Sequence, residues 1–274
     1  MSNPDSPLPP LHDQNPLGRF SNRAEDYAKY RPIYPPEAIA TLLSGLGSES
    51  DLGTVTGTFN HLIAADVGAG TGISSRLLAD QGVTVWAIEP NAAMRAAATP
   101  HPRVEFREGT AEQTGLPHQS VHIVLCCQAF HWFNQPIALQ EFHRILKPGG
   151  RVAILWNDRH RDDPLTAQYS EMVLNASDRD ILDRGDRKSA AAIAVSPLFT
   201  HFRQHTINWT RQLDLPSLLG MVRSSSYVPK TGAVLDQLLI DLTELHRQHA
   251  VSIDGTRCIS LAHQTNVYLA ETNE

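Results

Sequence analysis

The order of apolar segments in this 274-residue chain predicts an α/β fold, a doubly wound and mostly parallel sheet with helices on both faces. Three observations predict it. Short strand-like runs alternate with helix-period stretches from Leu62 to Trp156. The first run ends in a glycine turn, Gly68-Ala-Gly-Thr-Gly72, that opens a helix. A helix later stops at Lys147-Pro-Gly-Gly150, with the cation, proline and glycines expected at a C-terminus, and a new strand follows at once.

Taken in order, residues 1–16 carry five prolines among small polar residues and read as a flexible tail. The stretch from Phe20 to Pro36 holds several aromatics and ends in prolines that stop or restart a helix. Pro36 suits the first turn of a helix with Ile39, Leu42, Leu43 and Leu46 on one face. Residues 44–60 are rich in Gly, Ser and Thr and read as a loop. Strands are expected over 62–67, 83–88, 104–107, 121–126 and 151–156. Helices are expected over 74–80, 91–98 and 136–146, the last offering Ile137, Phe142, Ile145 and Leu146 to the core. Beyond Trp156 the alternation weakens. Helices at 162–176 and 188–194 flank a charged stretch, 201–213 reads as a strand, 216–223 and 234–249 as helices, and 256–270 as a final strand or hairpin.

Composition bounds the partners. Basic residues number 23 and acidic residues 29, a net charge of −6 that gives no general attraction for nucleic acid. The three cysteines are the adjacent pair Cys126 and Cys127 and a distant Cys258, which make neither a disulfide framework nor a metal motif. No run of about 18 apolar residues and no export signal is visible, so a soluble cytoplasmic protein, monomer or homodimer, without membrane or metal, is expected.

The glycine turn points to a nucleotide-containing ligand, because Gly68, Gly70 and Gly72 permit sharp turns and close approach of a ligand to the backbone. Two ligands compete. A dinucleotide site places its third glycine three residues after the second and aims a helix N-terminus at a pyrophosphate. Here the third glycine comes two residues after the second. Asp66 just ahead of it suits a cationic group better than a pyrophosphate. Glu89, at the end of the next strand, can accept hydrogen bonds from ribose hydroxyls of either ligand, or simply cap the helix at Asn91.

These residues resemble the class I S-adenosylmethionine-dependent methyltransferases, in particular the type 11 domain group. Asp66-Val-Gly-Ala-Gly-Thr-Gly72 resembles the first motif of that family and implies that Asp66, Gly68, Ala69, Gly70 and Gly72 contact the methionine part of the donor. Glu89, Pro90 and Met94 resemble the second, with Glu89 on the ribose. The third is Gly109 to Pro117, which implies that Ala111 and Glu112 lie beside the adenine. Thr110 stands there where many relatives have Asp. Gln128-Ala-Phe-His-Trp-Phe133 resembles the fourth, where donor and acceptor meet. Tyr27, Tyr30 and Arg31-Pro resemble the N-terminal cover, and Tyr27 and Arg31 are counted with the donor site. The resemblance covers about residues 20–157. It implies a seven-stranded sheet ordered 3-2-1-4-5-7-6 with strand 7 antiparallel.

For the chemistry, His131 is the candidate general base, with packing among its aromatic neighbours as the competing role. Trp132 and Phe133 are candidates for an apolar wall. Arg159, Arg223 and Tyr227 are candidates for the acceptor pocket, where arginine forks would suit a carboxylate; solvated surface charge is the alternative. The expected organisation is a tail (1–16), N-terminal cover (17–60), donor-binding core (61–160), helical insertion serving as acceptor lid (161–200) and C-terminal elements completing the sheet (201–274). The expected reaction is methyl transfer to an O-, N- or C-nucleophile of a small molecule, a carboxylic acid among the options. A nicotinamide-dependent oxidoreductase and a non-catalytic donor- or partner-binding module are the rivals.

Overall fold

A computed structural model describes residues 24–46, 59–177, 190–225 and 227–273, with residues 25–27 as backbone alone. The expected tail, most of the expected 44–60 loop, the charged stretch from 178 and the Tyr27 side chain lie outside the described residues. No described helix is long and apolar enough to cross a membrane.

The N-terminal part supplies α1 (Ala24–Tyr30) and α2 (Pro36–Leu43). There follow β1 (Ile63–Val67), α3 (Ile73–Asp80), β2 (Thr84–Ile88), α4 (Ala92–Ala96), β3 (Val104–Arg107) and β4 (Val121–Cys127). Next come α5 (Gln135–Ile145), β5 (Leu146–Arg159), α6 (Pro164–Asn175), α7 (Ala191–Ala194) and β6 (Phe199–Leu213). The chain closes with α8 (Leu215–Arg223), α9 (Ala233–His249), β7 (Val251–Ile253) and β8 (Thr256–Thr272).

The sheet runs β3-β2-β1-β4-β5-β8-β6, parallel through β5 and antiparallel where β8 inserts between β5 and β6. This is the expected order. The last strand is numbered eight because Asp254-Gly255, both at positive φ (48° and 81°), turns a short arm, β7, back along β8. Strand β5 also starts earlier than expected. It follows α5 without a break, and the register shifts between Val121 and Ile123 where Lys147 to Gly150 bulge out of the ladder.

One apolar core lies on each face of the sheet. Ala38, Ile39, Leu42 and Leu43 of α2 and Leu78 of α3 pack on one side, and Ala138, Leu139, Phe142 and Ile145 of α5 on the other. Ile137 was expected inward but is 47% exposed. At 100° per residue the buried stripe runs 138, 142, 145, and position 137 falls off its edge. A third core joins α6, α8 and α9 over the far ends of β6 and β8, with Tyr169, Leu218, Leu242 and Leu261 inside. Residues of the insertion therefore pack with helices from the C-terminal third. Helix α1 docks on α8 through Tyr30, whose ring occupies the space that a Cβ on Gly220 would fill. Arg211 Nη2 donates to the Tyr30 carbonyl at 3.0 Å and holds the same joint.

Candidate active site

The glycine turn sits at the carboxyl end of β1, where parallel sheets open their binding crevice. Gly68, Gly70 and Gly72 all have positive φ (71°, 59° and 74°), a region costly for side chains with a Cβ. Gly68 is also pressed from outside: a Cβ there would stand 2.7 Å from the Ala129 Cβ and 3.1 Å from the Phe133 ring. The amides of Gly68 and Ala69 donate to the Ile88 carbonyl at 2.9 and 3.2 Å, tying the turn to the end of β2.

Two buried carboxylates flank the turn. Glu89, 8% exposed, accepts the Gly70 amide on Oε2 and the Asn91 amide on Oε1, both at 2.8 Å. The helix-capping role is seen directly, and the same side chain also braces the glycine turn. Burial raises its pKa, against the two amides and Arg95. Asp66 is fully buried, and its Oδ2 accepts the Ser74 and Ser75 hydroxyls, each at 2.6 Å. Its Oδ1 has no hydrogen-bond partner among the described residues. Burial, helped by the Glu89 charge, pushes its pKa up to about 6 despite the two serines.

The remaining expected donor residues gather beside this turn unevenly. Met94 and Ala111 are buried, Ala111 in the core on the α5 face. Pro90 is half-buried. Thr110 is exposed, and its hydroxyl accepts the Gln113 amide at 3.2 Å. Glu112 Oε1 accepts the Asn134 amide at 2.7 Å, which fixes the entrance of α5. Gln128 closes β4 at positive φ (57°) and sends Nε2 to the Asn157 carbonyl at 3.1 Å.

A pocket of about 130 Å³ opens between the turn and the C-terminal third. Gly68, Ala69, Ile73 and Ser74 form one wall with Cys127 and Gln128; Asp158, Arg159, Tyr169, Met221, Tyr227 and His263 face them, and Arg31, Pro32 and Tyr34 close the side. Of the expected acceptor residues, Arg159 and Tyr227 line it and are bonded, Arg159 Nη2 donating to the Tyr227 hydroxyl at 2.8 Å. Arg31 lines it too. Four residues fall elsewhere. Arg223 is exposed at the end of α8, off the lining, because the buried stripe of that helix is Leu218, Met221 and Val222. His131 is buried, its ring centroid 4.7 Å from Trp132 and 5.2 Å from Trp156, and it is absent from the lining, as is Trp132. The aromatics around it draw the imidazole inward as packing. Phe133 backs the glycine turn from behind and meets Phe130 and Phe142 edge to face.

Several lining residues escaped the sequence-based expectations: Tyr34, Asn157, Tyr169, Met221, Ser225 and His263. For Asn157 a signal existed, a polar residue directly after an apolar parallel strand. His263 reaches the pocket because β8 pairs Arg159 with His263 and β6 pairs Trp209 with His263, a register invisible in the sequence. The His263 ring stacks on Trp209 at 4.8 Å. In the row below, Trp209 Nε1 donates to Thr265 Oγ1 at 2.8 Å, Thr265 donates to Asn157 Oδ1 at 2.6 Å, and Asn157 Nδ2 donates to the Ile33 carbonyl at 3.1 Å.

The sheet order, the glycine turn and the acid ending the second strand define a Rossmann-like α/β protein with a nucleotide-type site at its switch point. An unpartnered, buried carboxylate oxygen next to that turn fits a cationic ligand group such as S-adenosylmethionine carries, and fits a pyrophosphate poorly. The model of the methyltransferase domain family matches residues 65–154. An uncharacterised methyltransferase of Mycobacterium tuberculosis strain H37Rv is 32% identical over 212 residues, 76% of each chain. One from Schizosaccharomyces pombe is 32% identical over 160 residues, 57% of this chain and 60% of its own. Among solved structures, a proposed type II methyltransferase from Anaeromyxobacter dehalogenans superposes with a TM-score of 0.60 at 20% identity, covering 89% of this chain and 98% of that one. The chain belongs to the class I S-adenosylmethionine-dependent methyltransferases, in the type 11 domain group, and is an enzyme of methyl transfer.

Proposed function

We propose that this enzyme transfers the methyl group of S-adenosylmethionine to an O-, N- or C-nucleophile of a small molecule seated in the pocket between the glycine turn and Arg159. The observation that carries the donor half is Asp66, whose buried Oδ1 lacks a protein donor. The donor brings a cationic amino acid and a sulfonium, and its electrophilic methyl is the chemistry it supplies. Asp66 then answers the cationic end, the backbone of Gly68 to Gly72 lies along the methionine part, and Glu89 takes the ribose hydroxyls while keeping the Gly70 and Asn91 amides. Met94, Pro90, Ala111 and Glu112 border the adenine, with Thr110 at the rim. Arg31 encloses the donor end, and Gln128 marks the crossing to the acceptor.

In this reading catalysis is positioning. Holding nucleophile and methyl group at attack distance in a closed pocket is worth up to about 7–11 kcal/mol. His131, packed between Trp132 and Trp156, holds the wall in place and takes no part in proton transfer. The test is calorimetric titration with S-adenosylhomocysteine and, separately, with NAD, repeated on Glu89→Ala. Saturable binding of the first alone, weakened about 30-fold by the substitution, is expected, since a hydrogen bond to a charged group is worth about 1.5–3 kcal/mol. Binding of NAD alone would overturn the donor assignment.

A further inference from the structure

We propose that the acceptor is a small carboxylic acid in its ionised form, held on Arg159 and methylated on a carboxylate oxygen. This rests on the methyl-transfer reading above and goes beyond it. Arg159 ends β5, half-buried, with its guanidinium turned to the pocket. Among the described residues its partners are two phenols: the Tyr227 hydroxyl at 2.8 Å and the face of Tyr169, whose ring centroid lies 5.1 Å from the guanidinium carbon. No described carboxylate forms an ion pair with it. Asp158, its neighbour in sequence, also lines the pocket and its charge favours the guanidinium, but the two form no ion pair; Asp158 Oδ2 accepts from Asn266 at 3.4 Å. Tyr169 adds no charge of its own, because burial pushes its phenol up to about 12 and keeps it neutral. A second half-buried cation, Arg211, stands behind the same wall; its donors go to the Tyr30 carbonyl and the Met221 sulfur.

A guanidinium held in a pocket by phenols, with no described carboxylate hydrogen-bonded to it, keeps charge-assisted donors for a ligand anion. Arginine matches a carboxylate better than it matches a neutral amide or an amine. The step balances without a base. One carboxylate oxygen forms the bond to the methyl carbon while the carbon–sulfur bond breaks and its electron pair stays on sulfur. A carboxylate and a sulfonium thereby become a neutral ester and a neutral thioether, and no proton moves. Charge disappears along this path, which suits a pocket framed by Tyr34, Tyr169, Met221 and Tyr227.

The experiment supplies methyl-labelled S-adenosylmethionine and a small-molecule extract fractionated by anion exchange, then single carboxylic acids each paired with its amide. Label is expected to enter the retained fraction and the acids, not the amides, and to leave as volatile methanol in mild base, as methyl esters do. Arg159→Gln is expected to raise the KM for the acid about 100-fold with a smaller change in kcat, and Arg159→Lys to recover part of it. Titration with S-adenosylhomocysteine is expected to be the same for wild type and Arg159→Gln. Base-stable label, label confined to the unretained fraction, or an unchanged KM in Arg159→Gln overturns the proposal. So does a loss of S-adenosylhomocysteine affinity as large as the rise in KM, which would put the guanidinium on the donor. Wild type that fails to bind S-adenosylhomocysteine removes the methyl-transfer reading itself, an outcome distinct from all of these.

Discussion

Gly68, Ala69, Ile73 and Ser74 reach the pocket from one turn between β1 and α3, whereas Arg159, Tyr169, Met221, Tyr227 and His263 reach the opposite wall from separate elements of the second half. The charges differ as well. Buried acids, Asp66 and Glu89, stand behind the first wall, and the second carries Arg159 beside Asp158, with Arg211 behind it. The first wall is a piece of backbone geometry that a short sequence can specify, and what it binds is common to a family. The second is a product of sheet register and helix docking, so its chemistry is particular to this chain.

The strongest way to break this contrast is Gly68→Val. A β-branched residue at φ 71° with its Cβ 2.7 Å from Ala129 combines backbone strain with overpacking, a stability cost of about 4 kcal/mol. No measurable S-adenosylhomocysteine binding should remain in calorimetry. Affinity within threefold of wild type would show that the turn does not define the donor wall.

Next in size is the pH response of Asp66. Its carboxyl pKa rises from 3.8 unfolded to about 6 folded, so the fold favours the protonated form. The stabilisation is complete below the unfolded pKa and is lost as pH climbs through about 6. At neutral pH this amounts to about 3 kcal/mol at 1.36 kcal/mol per pKa unit. Urea melts across this range should show wild type losing stability relative to Asp66→Asn as pH rises. Donor affinity should run the other way in wild type, falling as pH drops through about 6, because the cationic donor prefers the ionised carboxylate. Parallel slopes would separate Asp66 from the donor.

The smallest effect belongs to the second wall. Trp209→Phe keeps the ring stacked on His263 but removes the Nε1 donor that orients Thr265 and through it Asn157. A loss of about 1 kcal/mol, read as a fivefold rise in acceptor KM with unchanged S-adenosylhomocysteine affinity, is expected. A change in donor affinity instead would mean the two walls are not independent.

The same contrast governs what the sequence disclosed. Strands β1 to β5, the glycine turn and Glu89 were legible because each is specified by neighbours within a few residues: apolar runs, glycines at positive φ, an acid at a strand end. Arg159 and Tyr227 were found by their place after a strand and a helix, yet their hydrogen bond was not, since it joins residues 68 positions apart. His131, a titratable side chain in the fourth motif, reads from the sequence as available for proton transfer, while the third dimension sets Trp156 against it. The β7–β8 hairpin was readable in principle from Asp254-Gly255, a pair suited to the two positive φ values it adopts. Arg223 and Ile137 show the limit of periodicity: one step around a helix separates a pocket or core position from an exposed one.

Tyr30 lies where a single methyl group on Gly220 would be, so the cover helix and α8 fit as a key fits its ward. A descendant of this chain that gained any side chain at position 220 would have to reseat its first helix. The N-terminal cover and the helix beneath it are therefore constrained to change together, although they lie far apart in the sequence.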